Sequence, residues 1–223
     1  METKPNTDNV YEEILNLFVG KRGDCNEWME KPFTDLSKVM ATNKISFVAV
    51  PKERVETHHI ELIGKTKGVY PCLHTCEKEI TLHRLQEAMK QVPLVDELDN
   101  HKAYKCKECN GFGQVEWQYG NYTDEDDCPK CNGDGEFKTD RKPTGKKVYD
   151  PSKVIIIGDS KFNVLELELL KKTIELLKQD KFSLVNQTQP KQASLFKIED
   201  VEILMMPFLP DGNVDLVAAT IKI

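Results

Sequence analysis

The sequence of 223 residues has no apolar run that approaches the about 20 residues needed to cross a membrane. Its first residues, Met1 to Asp8, are polar and lack the hydrophobic core of a secretion signal. Lysine and arginine number 31 against 37 aspartates and glutamates, so the net charge of −6 argues against a uniformly basic nucleic-acid binder. A protein with this net charge can still have one basic face. We therefore expect no membrane partner.

Recognisable catalytic motifs are missing as well. No Ser-His-Asp or Cys-His set stands in a recognisable frame, and the segment from Gly20 to Gly23 lacks the Gly-Lys-Ser/Thr order of a phosphate-binding loop. The acidic run from Asp124 to Asp127 lacks the alternating spacing and the terminal glutamate of a calcium loop. These absences predict a protein that is not an enzyme.

Four of the seven cysteines stand in two matched CxxCxGxG units, one over 106–113 and the other over 128–135. A two-residue gap lets one tight turn direct both thiols of a pair at a single ion, and Zn²⁺ accepts four thiolates tetrahedrally. The glycines allow a positive φ close to sulfur. The spacing predicts one structural zinc, bound by Cys106, Cys109, Cys128 and Cys131. Two disulfides or four free thiols are the alternatives.

The remaining cysteines form no comparable motif. Cys72, His74 and Cys76 lie close together with His83 nearby, but their spacing is not that of a standard metal-binding turn. A buried thiol pair without a ligand role is the simpler interpretation. An odd number of cysteines, four of them in metal spacing, fits a reducing compartment, so we expect a cytoplasmic protein.

Hydrophobic periodicity predicts three helices and several strands between them. The helices are expected over 9–19, 81–92 and 164–178, and the strands over 36–41, 45–50, 60–63, 115–119, 148–158, 182–186, 193–198, 201–207 and 214–223. Asn163 is predicted to cap the third helix, with Phe162 against Leu167 as a hydrophobic staple. Helices interspersed with several antiparallel strands predict an α+β fold.

Two polar segments, 94–103 and 138–147, flank the cysteine units and are expected to be connectors. This arrangement predicts three parts. An N-terminal α+β part covers 1–103, an inserted zinc-binding module covers 104–140, and a C-terminal α+β part over 141–223 completes the core. The module is expected to be a zinc-knuckle hairpin.

The cysteine units resemble the repeats of the DnaJ-type cysteine-rich module, which carries four such units and two zincs. Only two units occur here, and the chain has no His-Pro-Asp tripeptide of a J-domain. The resemblance therefore implies a metal site rather than chaperone activity. An alternative function is nevertheless a zinc-dependent protein-binding adaptor or chaperone-like module without DNA binding, with Trp117, Tyr119 and Tyr122 as its contact surface.

A second resemblance rests on Lys161-Phe162-Asn163-Val164, followed by a leucine-rich helix, three strands and Ile203-Leu204-Met205-Met206-Pro207. This order resembles the last part of the bacterial DNA polymerase sliding clamp, the β-subunit. Segments 31–33, 39–43 and 47–51 are similar to a hairpin of the same family. The chain departs from it because residues continue past Leu209, the cysteine segment has no counterpart, and a full clamp subunit has more domains. The resemblance implies clamp-like antiparallel sheets with packed helices.

The clamp resemblance also implies a function. Identical subunits would close a homo-oligomeric ring around double-stranded DNA, as a non-enzymatic processivity-type or accessory factor. Helix-borne cations would contact phosphates without reading sequence, and the candidates are Arg84, Lys90, Lys171, Lys172 and Lys178. Met206 and Pro207 match the family's partner-peptide pocket, where a DNA-replication protein would dock. The alternatives are an ordinary solvated helix face and an ordinary buried strand end.

Overall fold

The computed structural model describes residues 8–21, 23, 25–64, 77–99, 102–187, 192–209 and 216–223. Cys72, His74 and Cys76 lie outside these residues. The chain divides into two compact units, of which unit 1 comprises Met1–Pro93 and Tyr149–Ile223, and unit 2 comprises Leu94–Val148. Among the described residues, no helix combines the length and the apolarity needed to span a membrane.

Three α-helices, two short 3-10 helices (Glu27–Met29 and Lys52–Arg54) and seventeen strands form the described structure. The helices are α1 (Asp8–Leu17), α2 (Leu82–Lys90) and α3 (Val164–Leu176). The strands are β1 (Phe33–Asp35), β2 (Lys38–Thr42), β3 (Ser46–Pro51), β4 (Ile60–Glu61), β5 (Lys78–Thr81), β6 (Leu94–Leu98), β7 (Ala103–Lys105), β8 (Gln114–Tyr119), β9 (Tyr122–Asp127), β10 (Glu136–Lys138), β11 (Pro143–Tyr149), β12 (Val154–Ile157), β13 (Ser160–Asn163), β14 (Lys181–Asn186), β15 (Ser194–Ile198), β16 (Val201–Met205) and β17 (Val217–Ile221).

Unit 1 contains an eight-stranded sheet in the order β4-β1-β2-β3-β16-β15-β14-β5 and a three-stranded sheet in the order β13-β12-β17. The predicted α+β class is confirmed. Most strand pairs are antiparallel, as expected, and two are parallel: β1 with β4, and β12 with β17. Helix α3 and strands β14 to β16 separate β12 from β17 in the chain, which supplies the crossover that a parallel pair requires.

The main core of unit 1 combines apolar side chains from all three helices and both sheets. On α3, Leu167, Leu170 and Ile174 recur at helical spacing and are fully buried. The predicted N-cap is confirmed, because the side-chain oxygen of Asn163 accepts a hydrogen bond from the backbone N–H of Leu165 at 2.8 Å. The staple residue Phe162 is also fully buried.

A smaller apolar cluster covers the other face of the eight-stranded sheet. Along β2 and β3, Val39 and Val48 belong to the main core, whereas their neighbours Met40 and Phe47 belong to the second cluster. Successive side chains of a strand point to opposite faces, so this alternation places the two clusters on opposite sides of the sheet. The second cluster is Phe33, Met40, Phe47, Ala49, Leu195 and Leu204, with Trp28 packed against it.

Unit 2 consists of three two-stranded ribbons, in which β6 pairs with β11, β7 with β10, and β8 with β9. The segments 94–103 and 138–147, expected to be connectors, therefore contain paired strands. Their pairing is supported by an ion pair between Lys147 and Asp96 at 2.9 Å. An exposed ribbon has no buried face and so no hydrophobic alternation, which explains why the pattern did not predict it. The predicted module 104–140 lies within unit 2.

The strand expected over 148–158 is interrupted. Strand β11 ends at Tyr149, and the chain turns before β12 begins at Val154. The turn is held by Asp150, whose carboxylate accepts hydrogen bonds from the backbone N–H and the hydroxyl of Ser152. These bonds, led by that of the hydroxyl, lower the pKa of Asp150. A local side-chain turn thus overrides the continuous apolar pattern.

Candidate metal centre and candidate binding surfaces

The four predicted cysteine ligands converge within unit 2. Their sulfur atoms all lie within 4.8 Å of one another, and all four residues are buried. The Sγ atoms of Cys106 and Cys128 are 3.9 Å apart, and those of Cys109 and Cys131 are 3.7 Å apart. Two turns that are far apart in the sequence therefore present one compact group of four thiols.

The two turns are related by local twofold symmetry. Each first cysteine accepts a hydrogen bond at its carbonyl from the glycine N–H five residues later, at 3.1 Å in the first turn and 3.3 Å in the second. The turns are also bonded to each other, because the N–H of Cys106 donates to Gly135 and the N–H of Cys128 donates to Gly113, both at 2.8 Å. The matched CxxCxGxG spacing thus produces two turns of the same geometry that are hydrogen-bonded to each other.

Gly113 and Gly135 are required by this close approach. A Cβ atom on Gly113 would lie 2.2 Å from the carbonyl oxygen of Gly133, and one on Gly135 would lie 2.5 Å from that of Gly111. Both glycines also have a positive φ. Their N–H groups donate to the sulfur atoms of Cys109 and Cys131 at 3.3 and 3.2 Å, which stabilises negative charge on those sulfurs.

The pKa values of the Cys109 and Cys131 thiols are shifted in opposite directions. Burial is the largest influence on Cys109 and raises its pKa, but the N–H groups of Gly113 and Gly111 and the neighbouring thiols together outweigh burial and lower that pKa to about 7. At Cys131 burial prevails and raises the pKa to about 12. The two positions are geometrically matched, so the difference arises because ionisation of one thiol disfavours ionisation of the other. A bound cation would allow both to ionise.

The arrangement fits a tetrahedral zinc ion. Four sulfurs at a Zn–S distance of about 2.3 Å around one ion lie about 3.8 Å from each other, close to the observed separations. The same separations exceed the about 2.05 Å of a disulfide bond, so the four cysteines are free thiols in this structure. Four cysteines fill all four positions of a zinc ion, and such a site contributes structural stability rather than an open position for a substrate.

The predicted DNA-contacting cations lie on or near helices α2 and α3 of unit 1, and most of them contact other groups of the protein. Lys90 pairs with Glu87 at 2.7 Å, Lys171 with Glu175 at 3.8 Å, and Lys172 with Glu168 at 3.9 Å. The guanidinium of Arg84 donates to the backbone carbonyl of Lys222. Lys178 follows the end of α3 and is exposed. The helices thus present mixed charge.

Met206 lies at the edge of an apolar pocket in unit 1. The pocket has a volume of about 210 Å³ and is lined by Trp28, Met29, Phe33, Thr42, Lys44, Ile45, Ser46, Phe47, Leu204 and Met206. The N–H of Met206 donates to the carbonyl of Ile45 at 2.9 Å, which fixes the backbone there and leaves the side chain 48% exposed. Pro207 is buried, so the accessible surface comes from Met206.

Sequence reasoning missed the other pocket residues. Ile45 and Phe47 lie far from Met206 in the sequence, and the pairing of β16 with β3 brings them to it. Trp28 reaches the pocket through its edge-on ring contact with Phe33, at 5.4 Å between centroids. Of Trp28, Ile45 and Phe47, only Phe47 lies in a segment whose sequence is similar to a clamp hairpin. A pairing between strands that are distant in the chain cannot be obtained from local spacing.

Comparison with known proteins gives similarity of fold only. No family model matches the chain, and no curated protein does, so the resemblance to the DnaJ-type module stays a prediction. Among solved structures, the chain is similar to DNA polymerase III subunit beta from Borrelia burgdorferi in complex with a natural product, with 10% identity and a TM-score of 0.49. That match covers 94% of this chain and 64% of the other.

Two further solved structures give comparable values. The beta clamp of Helicobacter pylori bound to a DNA ligase peptide is 8% identical with a TM-score of 0.44, and the match covers 90% of this chain and 62% of that one. The DNA polymerase III beta subunit from Thermotoga maritima is 8% identical with a TM-score of 0.47, over 92% and 65%. The chain thus spans less than two thirds of each of these proteins. The likeness concerns the fold, and no residue role is transferred on it.

Proposed function

We propose that this protein is a non-enzymatic, zinc-binding cytoplasmic protein that closes a ring of identical subunits around duplex DNA and docks a replication protein through a peptide. One observation carries the proposal. The order of sequence segments, taken alone, led to the expectation of a partner-peptide pocket at Met206, and an apolar pocket lies beside that side chain. The pocket lies at the position that the clamp resemblance assigns to a partner peptide, and this agreement supports the proposal.

The pocket suits a short peptide better than a larger molecule. Its volume of about 210 Å³ is below the about 300–1000 Å³ of sites for drug-sized ligands, and it accommodates one or two apolar side chains. Its walls are mostly aromatic and aliphatic, while Lys44 adds one cation to the lining. A partner peptide with adjacent apolar residues and a nearby carboxylate complements this surface.

The proposal that a ring encloses DNA is tested by comparing circular with linear DNA. The protein is loaded onto a closed DNA circle and onto the same DNA after linearisation, and retention is measured as the salt concentration rises. A ring held topologically stays on the circle when phosphate contacts have been weakened by salt, and it slides off the linear DNA. A monomer at all concentrations in sedimentation, with equal loss from both DNA forms, would contradict the proposal.

The pocket is tested with a capped dileucine peptide as probe and a capped dialanine peptide as control. Trp28 lines the pocket, so its fluorescence reports binding once Trp117 has been replaced by phenylalanine. Ile45→Glu places a charge at the pocket and should abolish the response. Ile63→Glu is the matched control, because Ile63 is exposed like Ile45 and does not line the pocket. Equal responses of the two variants would contradict a peptide site.

A second candidate function is a zinc-dependent protein-binding adaptor that does not bind DNA. The ion pairs of Lys90, Lys171 and Lys172 favour it, because cations already paired with carboxylates offer weaker attraction for phosphates. The net charge of −6 favours it as well. This function is supported if the protein is a monomer, binds neither the circular nor the linear DNA, and still gives the fluorescence response to the dileucine peptide.

A further inference from the structure

An aromatic surface is exposed on the β8–β9 hairpin of unit 2. The strand register pairs Tyr119 with Tyr122 and Trp117 with Asp124, so the three rings lie on the same face of the hairpin. They are 57%, 88% and 81% exposed for Trp117, Tyr119 and Tyr122 respectively. Large aromatic side chains grouped on an exposed surface are characteristic of contacts with other molecules.

A groove runs beside β8 and combines aromatic walls with negative charge. Phe112 and Trp117 line it together with Pro129, and the carboxylates of Glu108 and Glu116 belong to the same lining, which contains no lysine or arginine among the described residues. The hairpin from Gln114 to Asp127 carries five carboxylates and no lysine or arginine. The formal charges of the groove lining and of the hairpin are therefore all negative, which favours cations over phosphate groups as ligands.

The groove also offers a backbone template. Strands β8 and β9 pair only with each other in the described part of the chain, so their outer edges have backbone groups available for a further strand. The hairpin is anchored at its base, because it starts directly after Gly113 and ends directly before Cys128, whose N–H donates to the Gly113 carbonyl. A surface held in place before binding loses less conformational entropy when a partner binds.

We propose that this groove binds an extended segment of a partner protein in which lysine or arginine alternates with apolar residues. The apolar side chains would contact Phe112 and Pro129, and the cations would stack on Trp117 or pair with Glu108 and Glu116. The segment's backbone would add a strand to the open edge of β8. This inference goes beyond the DNA-binding function, because it concerns unit 2 and holds with or without DNA binding. It deepens the second candidate function, the protein-binding adaptor, by naming the chemistry of the partner.

The test uses the full zinc-loaded chain and a fluorescently labelled short peptide in which arginine and lysine alternate with valine. A peptide with glutamate at each cationic position is the control probe. Glu116→Lys is the informative variant, because the new lysine faces Glu125 across the β8–β9 ladder and the hairpin should keep its stability. Asp140→Lys is the matched control, since it makes the same charge change at an exposed position outside the groove.

We expect the basic peptide to bind wild-type protein and the acidic peptide not to bind. Glu116→Lys and Trp117→Ala should each weaken binding at least about tenfold, with zinc content unchanged, whereas Asp140→Lys should change it less than about twofold. Equal affinity of all variants, equal binding of both peptides, or no binding of the basic peptide would overturn the inference. Competition by a single-stranded or duplex nucleic acid for the groove would overturn it too, in favour of a nucleic-acid site.

Discussion

Gly113→Ala tests how far the metal centre depends on the contact between the two cysteine turns. The added methyl group would lie 2.2 Å from the carbonyl oxygen of Gly133, a distance that no relaxation of a side chain can relieve because the opposing atom is backbone. The turns must move apart. That movement strains the hydrogen bond from the Cys128 N–H to the Gly113 carbonyl, which joins the two turns, and the shift of the Gly113 backbone within its own turn removes the bond from its N–H to the Cys109 sulfur.

Gly120→Ala is a control that separates the effect of the contact between the turns from the backbone strain of an alanine at positive φ. Gly113 and Gly120 both have a positive φ, so alanine costs about 1–2 kcal/mol of backbone strain at each. Gly120 has no atom within 4 Å of the new methyl group, so only this strain applies there. At Gly113 the loss of a hydrogen bond to a charged group adds about 1.5–3 kcal/mol. The difference corresponds to a roughly tenfold to hundredfold loss of zinc affinity.

The assay is competition for zinc between the protein and a chromophoric chelator. We expect Gly120→Ala to stay close to wild type in zinc affinity, since its strain lies at the tip of the β8–β9 hairpin. Gly113→Ala should release zinc at chelator concentrations roughly ten to a hundred times lower than Gly120→Ala requires. Equal affinities of the two variants would refute the argument that close packing of the two turns holds the metal.

Three further predictions concern the cap, the modularity and the pH dependence. Asn163→Ala should destabilise unit 1 by about 1–2 kcal/mol in urea denaturation without changing zinc content, because the N-cap bond to Leu165 is lost; an unchanged midpoint would speak against the cap. Replacing 94–148 by a short Gly/Ser linker should leave a unit 1 that still unfolds cooperatively. The two ends of the cut are adjacent, because the N–H of Asp150 donates to the carbonyl of Pro93 at 2.9 Å. Loss of cooperative unfolding would show that the core of unit 1 needs unit 2. The folded pKa of Cys109 is about 7, below its ordinary value of 9.0, so its thiolate contributes stability that is present above pH 9 and is lost as the pH falls through about 7. A bound cation lowers the pKa of its thiol ligands further, so protons should displace zinc only at a pH below about 7. A zinc content that does not respond to acid would exclude thiolate ligands.

The cluster of four cysteines could be predicted from the sequence because the spacing that produces it is local. A CxxC spacing fixes the direction of two thiols within one turn, and the matched second unit supplies the other two. The cap at Asn163 and the α3 stripe could be predicted for the same reason. What the sequence does not contain is the contact between the turns, in which Gly113 and Gly135 become indispensable only when the carbonyls of Gly133 and Gly111 approach them.

The parts that could not be predicted depend on pairing over long distances or on exposed strands. The Met206 pocket requires β16 to lie beside β3, which brings Ile45 and Phe47 to Met206. The β6–β11 ribbon is charged and exposed, so it lacks the alternation that identifies a strand. The groove beside β8 combines Phe112 from one turn with Pro129 from the other, and only the folded hairpin brings them together.

X-ray absorption at the zinc edge tests the central claim, that four cysteine thiolates close one metal site, most directly. The account predicts one zinc per chain with four sulfur neighbours at about 2.3 Å and no oxygen or nitrogen neighbour. Replacing Cys109 and Cys131 together by serine should remove the signal. A native protein without zinc, or a zinc ion with nitrogen or oxygen in its first coordination shell, would contradict the account.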